Sequence, residues 1–381
     1  MYRSDDGGES WNPKNGGMSA VRVSDLSIDN SDPSTIYAAT KGSGVFKSVD
    51  SGATWIDIND GLPISPVTLG MWVRALVMDP SAPTNLYAAI DDAGVYKSVD
   101  GGASWSAQNL DGVTTLEVDR LNSSRLLAGT MDAGIFESLD AGVSWSPINA
   151  GLDVSVVSDI AIDPSDSSRA YAGMHVNGLF RTADGGQTWI NNSSGLPATS
   201  VLEIVIDPSD TTIVYASIEQ AGVYRSEDAG ETWAPANAGL TGFAQDVSAM
   251  VIDPETPARL LIGTRRAGVY ITENRGESWS ALNDGFSDAT LGTSIDALAL
   301  DPSDPGKRFA GAGDGVHTFE VEAAQEPPPP PPPPPPAPAP APSSGGGGGG
   351  MGLGLLGALL AASTIRLRRS RIGQLDDGAS P

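Results

Sequence analysis

Short hydrophobic segments recur along the first 321 residues of this chain, and their large apolar residues alternate. In 201–207 (VLEIVID), Ile204 and Ile206 stand two residues apart and the segment ends in Asp. This alternation predicts a β-strand with one buried face, and the apolar residue between them, Val205, favours a strand covered on both sides. No stretch before residue 350 keeps an apolar period of 3.6 residues, so we expect almost no helix there.

Each hydrophobic segment opens a unit with the same order of elements. A DPSD-type turn follows it, as at 163–166 and 207–210, because Asp followed by Pro favours a type I reversal. A second strand, a short variable loop and a third strand that opens G-V-Y or G-V-F come next. Together with a fourth strand, the unit has four short antiparallel strands in about 45 residues, which is typical of one β-propeller blade.

Seven first strands are predicted, beginning near Val21, Val73, Val113, Val157, Val201, Val247 and Ile295.

An eight-residue box, S/T-x-D-x-G-x-S/T-W, links the third and fourth strands and occurs seven times. The carboxylate and hydroxyls of the box can accept backbone N–H groups across its hairpin, its Gly supplies a positive φ, and its Trp can fill the wedge between blades. We therefore interpret the box residues as structural rather than catalytic. They are Asp6, Trp11, Asp50, Trp55, Asp100, Trp105, Asp140, Trp145, Asp184, Trp189, Asp228, Trp233, Asn274 and Trp279.

The boxes resemble those of the Asp-box (BNR) repeat proteins, which include sialidases, xyloglucan-degrading hydrolases, sortilin-type receptors and photosystem II assembly factors. The resemblance covers residues 1–321 and implies an all-β, seven-bladed propeller of four-stranded antiparallel blades. It implies little about function, because enzymes and non-enzymes share the box.

The two ends of the repeat region are complementary. The last copy stops after its third strand (315–321), whereas the chain opens with a box and a fourth strand. We expect the N-terminal segment to close the ring by completing the seventh blade. Because residues 1–4 align inside a third strand, we also expect the true start to lie upstream, so that a leader precedes it and the final number of blades stays open.

After residue 321 the composition changes to a Pro-rich and Gly-rich linker (322–350), a hydrophobic segment followed by an Arg cluster (351–371), and a tail expected to be disordered (372–381). This order resembles bacterial GlyGly-type C-terminal sorting signals, which implies cleavage near 344–350 by a rhomboid-like membrane protease and then surface attachment or release. The alternative is a plain, short transmembrane anchor. In both cases the Arg cluster stays cytoplasmic, so the propeller is expected to be extracytoplasmic.

The charge and the rare residue types exclude several functions. A formal net charge of −25 argues against nucleic acid as a partner. The absence of Cys excludes disulfides and zinc–thiolate sites, and His175 and His317 are the only histidines. We expect neither a metal nor a cofactor.

Ligand sites in propellers usually lie where the loop after the second strand meets the inter-blade loop. The candidates are the variable residues at that position, together with the one Trp outside the repeat: Trp72, Asp91, Asp92, Asp132, His175, Glu219, Arg265 and Arg266. Trp72 is interpreted either as a stacking platform for a sugar or a partner side chain, or as a structural residue that plugs the channel or packs on a neighbouring blade.

A catalytic interpretation finds little support in these residues. Sialidase-like hydrolysis needs several converging arginines and a Tyr nucleophile paired with Glu, whereas all eight tyrosines recur at equivalent packing positions. The xyloglucanase resemblance implies catalytic carboxylates between two propellers, and this chain encodes one. Two interpretations are open for the acidic loop residues Asp91, Asp92 and Asp132. They form a carboxylate pair or a weak cation site, or they are solvated loop acids.

The leading hypothesis is a non-enzymatic surface module that binds a protein or glycan. The alternatives are a glycoside hydrolase, truncated at its N-terminus, and an assembly factor for a membrane complex.

Overall fold

The structure, a computed structural model, describes residues 2–3, 12–13, 16–18, 21–64, 70–197, 200–283, 294–302, 304, 307–313 and 315–320. The chain divides into two units, Met1–Glu326 and Pro327–Pro381, and every described residue lies in the first. The predicted linker, hydrophobic segment and tail lie outside the described residues, as does the first box. No helix within the described ranges has the length and apolar character needed to cross a membrane.

The described part of the chain is all-β apart from one short 3-10 helix, Gly242–Gln245. Its strands in chain order are β1 (Tyr2–Arg3), β2 (Asn12–Pro13), β3 (Val23–Ile28), β4 (Ile36–Gly42), β5 (Gly44–Ser48), β6 (Ile56–Asp57), β7 (Met71–Met78), β8 (Leu86–Ile90), β9 (Gly94–Ser98), β10 (Ser106–Ala107), β11 (Val113–Val118), β12 (Leu126–Thr130), β13 (Ile135–Ser138), β14 (Ser146–Pro147), β15 (Val157–Ile162), β16 (Ala170–Met174), β17 (Gly178–Thr182), β18 (Ile190–Asn191), β19 (Val201–Ile206), β20 (Val214–Ile218), β21 (Gly222–Ser226), β22 (Ala234–Pro235), β23 (Val247–Ile252), β24 (Leu260–Thr264), β25 (Val269–Thr272), β26 (Ser280–Ala281), β27 (Ile295–Leu300), β28 (Lys307–Ala312) and β29 (Gly315–Glu320).

These strands form seven blades, numbered here in chain order. Blades 1 to 6 are β3–β6, β7–β10, β11–β14, β15–β18, β19–β22 and β23–β26, each an antiparallel run of four strands. Blade 7 contributes β27–β29, and the N-terminal strand β1, which pairs with β2, lies against β29. Blades 1 and 2 are also joined, because Lys41 of β4 pairs with Trp72 of β7.

The first strands of the blades form a closed ring. Each contacts the first strand of the next blade, and β27 contacts β3. The chain is therefore a seven-bladed β-propeller, which confirms the fold class predicted from the repeat. Two predicted strand starts are displaced, since β3 begins at Val23 rather than near Val21 and β7 begins at Met71.

The alternation predicted for the first strands is present as burial of every second large residue. In β19, Val201, Ile204 and Ile206 are buried. A register irregularity between positions 201 and 203, repeated in the first strand of every blade, shifts the alternation by one residue. The second strands are buried throughout, as expected for a central strand covered by blades on both sides.

The described boxes, which begin at Ser48, share one hydrogen-bond pattern, except that Asn274 in the last box donates from Nδ2 to the Ser278 hydroxyl (2.9 Å), where an Asp would accept. In 226–233 the Ser226 hydroxyl accepts the Gly230 N–H (2.8 Å) and donates to Asp228 Oδ1 (2.7 Å). The two Asp228 oxygens accept the N–H (2.9 Å) and hydroxyl (2.6 Å) of Thr232. These bonds hold the pKa of the Asp228 carboxyl below its usual value. The box therefore satisfies its own turn before any neighbour is involved.

In four of the six described boxes, the Trp donates a hydrogen bond to the preceding blade, whereas the buried Nε1 atoms of Trp55 and Trp145 have no hydrogen-bond partner among the described residues. The indole Nε1 of Trp189 donates to the Ile148 carbonyl oxygen (2.9 Å), and that of Trp233 donates to the Asn192 carbonyl oxygen (2.9 Å). Both indoles are buried, so apolar area and a satisfied donor together close the gap between blades.

In several blades, a cationic side chain on the third strand donates a hydrogen bond to the following blade. Lys97 Nζ donates to the Ala141 carbonyl oxygen (2.8 Å), and Arg181 Nη1 donates to the Ala229 carbonyl oxygen (2.9 Å). The acceptors are the left-handed residues of the next box, with φ of 58° and 56°. The acceptor in each case is a main-chain atom.

Candidate functional site

One hydrogen bond recurs in blades 1 to 6 and defines a common face. A residue at the end of the second strand donates its N–H to the carbonyl oxygen of a residue at the start of the first strand of the same blade. The N···O distance is 2.8 or 2.9 Å. We call the surface formed by these residue pairs the variable face. The pairs are Arg22 with Lys41, Trp72 with Asp91, Gly112 with Met131, Val156 with His175, Ser200 with Glu219, and Asp246 with Arg265.

The side chains on this frame differ from blade to blade. Blade 1 presents two cations, blade 2 an aromatic ring and a carboxylate, and blade 3 no charge. A constant backbone thus carries a different chemistry at each position, which is the arrangement expected of a recognition surface on a repeat scaffold.

Trp72 lies on the variable face and is 38% exposed. Two glycines flank its indole, since a Cβ on Gly42 would lie 3.6 Å from Nε1 and one on Gly70 would lie 3.4 Å from Cδ1. Its partner in the frame, Asp91, forms an ion pair with Arg74 (2.7 Å). The indole is therefore packed on one edge and open on the rest, which leaves both sequence interpretations of Trp72 as predictions.

Blades 4 to 6 bring three of the candidates together. The Ser200 hydroxyl, which has one hydrogen to donate, lies 2.8 Å from Glu219 Oε2 and 2.5 Å from the His175 carbonyl oxygen. Arg265 lies 3.8 Å from Glu219 Oε1 and 3.8 Å from Asp246 Oδ1. These contacts make one continuous polar arc on the variable face.

The Arg266 guanidinium lies over an aromatic ring. Its guanidinium carbon is 5.3 Å from the centroid of the Phe243 ring, within the range of a cation–π contact. Arg265 and Arg266 therefore have separate partners and do not form a joint anion clamp.

The remaining candidates are not gathered into one site. Asp132 is exposed, and Asp92 adopts a left-handed backbone with φ of 59°. The described residues contain no group of three or more His, Cys, Asp or Glu side chains arranged to hold a metal ion. Because Asp91 is paired with Arg74, the structure offers no support for a carboxylate pair between Asp91 and Asp132.

The ring of first strands encloses a central cavity of about 600 Å³ that is lined by five acidic side chains. Asp296 is paired with Arg22 (2.6 Å) and Lys41 (3.0 Å), and the other four are called the cavity carboxylates. Burial raises the pKa of Asp25 to about 6, that of Asp159 to about 7 and that of Glu117 to about 8. Burial also raises the pKa of Glu203 well above its usual value, and the nearby Asp159 and Asp25 carboxylates add to that shift.

Two of the four cavity carboxylates accept a hydrogen bond from the neighbouring blade. Asp25 Oδ2 accepts the N–H of Leu76 in blade 2 (2.8 Å), and Asp159 Oδ2 accepts the N–H of Ile204 in blade 5 (2.7 Å). Both groups thus have a structural role that spans a blade interface.

Phe243 and the cavity carboxylates were not predicted from the sequence. Phe243, like Trp72, is an aromatic residue in an inter-blade loop outside the repeat, and that position is the signal that could have found it. The cavity acids stand at positions 25, 117, 159 and 203, inside strands interpreted from their apolar residues alone. A search for charged residues within those strands is the signal that would have found them.

Comparison with known proteins agrees with this fold. Residues 2–13 match the BNR/Asp-box repeat family model, and no curated protein matches the chain. A GH74 xyloglucanase from Xanthomonas campestris has a TM-score of 0.67 and 21% identity, with 85% of this chain and 54% of that chain covered. This chain thus spans about half the length of that enzyme.

Two further solved structures share the fold at lower identity. YCF48 bound to D1 peptide has a TM-score of 0.60 and 14% identity, with 81% of this chain and 96% of that chain covered. The extracellular domain of the hybrid two-component system BT4673 from B. thetaiotaomicron has a TM-score of 0.61 and 15% identity, with 80% and 38% covered.

Proposed function

We propose that this chain, a single Asp-box β-propeller, is a binding protein that takes a protein or glycan ligand on its variable face and catalyses no reaction. The observation that carries the proposal is the recurring hydrogen-bonded frame, which holds a different side-chain pair in each of blades 1 to 6. Residues that served folding alone would repeat from blade to blade, as the box residues do.

The comparison with YCF48 supports a binding role for one propeller of this size. That protein is similar to this chain over nearly its whole length, and its structure contains a bound D1 peptide. The fold alone does not transfer the peptide to this chain, so the ligand class is left as protein or glycan.

A glycoside hydrolase is the alternative, and the likeness to the GH74 fold favours it. The polar groups of the variable face argue the other way. Asp91 is held by Arg74, Glu219 is held by Ser200, and Asp132 stands by itself, whereas glycoside hydrolysis needs two carboxyl groups that face each other across the scissile bond.

The proposal is tested by comparing two sets of substitutions on glycan and peptide arrays. The face variant combines Trp72→Ala, Met131→Ala and His175→Ala, whereas the control variant combines the exposed box residues Val49→Ala, Val99→Ala and Leu139→Ala on the other face. Each set truncates three exposed side chains, but Trp72 is also packed against Gly42 and Gly70, so the Tm of both variants is measured to verify that they are folded. Ligands bound by the wild type should bind the face variant at least about tenfold more weakly and the control variant unchanged.

Two results would contradict this assignment. One is binding that survives the face variant and disappears in the control variant. The other is release of reducing sugar by the wild type that Asp91→Asn or Asp132→Asn abolishes, since that would establish the hydrolase instead.

We further propose that the propeller acts outside the cytoplasm and is held at the membrane, at least transiently, by residues 351–371. The support is the order of Pro-rich linker, Gly run, apolar segment and Arg cluster in the sequence. A rhomboid-like sorting protease would cut near 344–350. Mass spectrometry of the mature chain should therefore find a C-terminus in that range, and an intact C-terminus at Pro381 would leave only the plain anchor.

A further inference from the structure

A small cavity lies on the variable face between blades 5 and 6, separate from the central cavity. It has a volume of about 420 Å³ and is lined by Gln220, Gly242, Phe243, Asp246 and Arg266. Cavities that hold small ligands have volumes of about 300–1,000 Å³ and combine apolar surface with a few polar groups. The size and lining of this cavity are within that description.

The Phe243 ring is held out toward the cavity by a rigid element. Its neighbour Ala244 and the preceding Leu240 are buried in the core between the blades. The short 3-10 helix that carries Phe243 and Ala244 is closed by the Ala244 N–H to Thr241 carbonyl bond (3.1 Å). Phe243 itself is 61% exposed. An exposed ring on a fixed backbone offers apolar surface without an ordering cost on binding.

The floor of the cavity is open beside Phe243. Gly242 has φ of 58°, and a Cβ built on it meets no heavy atom within 4 Å. Gln220, which also lines the cavity, has φ of 58° and occupies the same hairpin-turn position as Asp92 of blade 2, which has φ of 59°. The open floor leaves room for ligand atoms beside the Phe243 ring.

The polar groups of the cavity offer both donors and acceptors. The Gln220 amide supplies both kinds and the Arg266 guanidinium supplies donors. Asp246 supplies acceptors; its buried Oδ1 lies 3.8 Å from Arg265 Nε and accepts no hydrogen bond within the described part of the chain. Among the same residues Arg266 forms no ion pair. A ligand rich in hydroxyl groups uses both kinds, because each hydroxyl donates and accepts.

The charges around the cavity cancel. Arg265 and Arg266 are balanced by Glu219 and Asp246, and Arg265 lies 3.8 Å from each carboxylate. An anionic ligand would meet the two carboxylates, and a cationic ligand would meet the two guanidinium groups. A neutral polar ligand is repelled neither by the carboxylates nor by the guanidinium groups.

We propose that this cavity binds one sugar residue of a neutral glycan, with the sugar ring against the exposed part of Phe243 and its hydroxyls bonded to Gln220, Asp246 and Arg266. The inference rests on the proposed binding function and narrows its ligand to an uncharged carbohydrate.

The test is titration calorimetry on the full chain with cellotetraose, xylotetraose and mannotetraose as neutral probes, tetragalacturonate as the acidic probe and tetralysine as the basic probe. Phe243→Ala removes the stacking surface. Gly242→Asn fills the cavity without removing a contact, because Asn tolerates a positive φ. Leu139→Ala, an equally exposed apolar residue in a box, is the matched control. At least one neutral probe should bind, and both cavity variants should weaken it about tenfold or more while the control leaves it unchanged.

Three outcomes would overturn the inference. They are no binding of any neutral probe up to about 10 mM, binding that Phe243→Ala and Gly242→Asn leave intact, and preferential binding of the charged probes. If the cavity variants keep their array ligands while the Trp72-containing face variant loses them, the sugar site is wrong and the binding function stands. If the face variant keeps them as well, both proposals fall.

Discussion

At the residue scale, glycine decides how closely one blade can approach the next. Gly239, in the loop after blade 5, has φ of 94°, and a Cβ on it would lie 2.2 Å from the Trp279 carbonyl oxygen. Gly61, Gly151 and Gly195 stand at equivalent places against the carbonyl oxygens of other box tryptophans. A side chain at these positions would have to displace backbone atoms, which are less able to yield than a flexible side chain.

Two glycine substitutions separate this contact from backbone strain. Gly239→Ala adds both a clash and a left-handed Ala, and should lower the free energy of unfolding by about 3 kcal/mol or more. Gly185→Ala, in the box of blade 4, adds only the left-handed Ala, because no heavy atom lies within 4 Å of its Cβ. Gly185→Ala should lower the free energy of unfolding by only about 1 kcal/mol, since Ala141 and Ala229 occupy the same place in other boxes. Urea unfolding of both variants measures the difference, and equal losses would show that the close approach is unimportant.

At the element scale, the sequence predicts the blade well and the variable face only in part. The strand order and the box turn follow from local residues, because alternation, Asp-Pro and the box motif act within one hairpin. The contact of Arg266 with Phe243 joins the loop after a second strand to an inter-blade loop, and the ion pairs of Arg265 reach two different blades. Such contacts depend on how blades lie side by side, which no single repeat encodes.

The bulge in the first strands shows the same limit. The register irregularity after Val201 turns Glu203 toward the central cavity, whereas simple alternation from Val201 would place it on the buried face with Val201. Sequence periodicity therefore identified the strand and could not identify which of its residues line the cavity.

At the scale of the whole molecule, the ring gathers carboxylates from several blades into one cavity and thereby ties stability to pH. Asp25, Asp159 and Glu117 have pKa values of about 6, 7 and 8 in the folded chain, all raised above the unfolded values near 4. Between about pH 4 and pH 8 the folded chain therefore binds more protons than the unfolded chain. Its free energy of unfolding should fall as pH rises from about 4 to about 8.

The box carboxylates act in the opposite direction at lower pH. Hydrogen bonds hold the pKa of Asp100, Asp140 and Asp184 at about 2, so the stability they contribute is present above about pH 4 and is lost as pH falls toward 2. Together the two sets predict a maximum of thermal stability near pH 4–5, with a Tm several degrees lower at pH 8.

Glu117→Gln provides the test of this pH dependence. It removes one titrating group from the cavity, so the decline in Tm between pH 5 and 8 should become shallower. Asp132→Asn, which removes an exposed carboxylate, is the control and should leave the decline unchanged. A Tm that rises steadily from pH 5 to 8 would contradict the assignment.

The cations that reach across blade interfaces bear on how such a ring diversifies. Lys97 and Arg181 both contact a peptide carbonyl, which every amino acid provides, so the adjoining hairpin can change its side chains without losing the joint. Blades 3 and 6 carry Glu137 and Ile271 at the same strand position, so this kind of joint occurs at some of the blade interfaces only. Where it is present, the side chains of the following hairpin can diverge while the acceptor is kept.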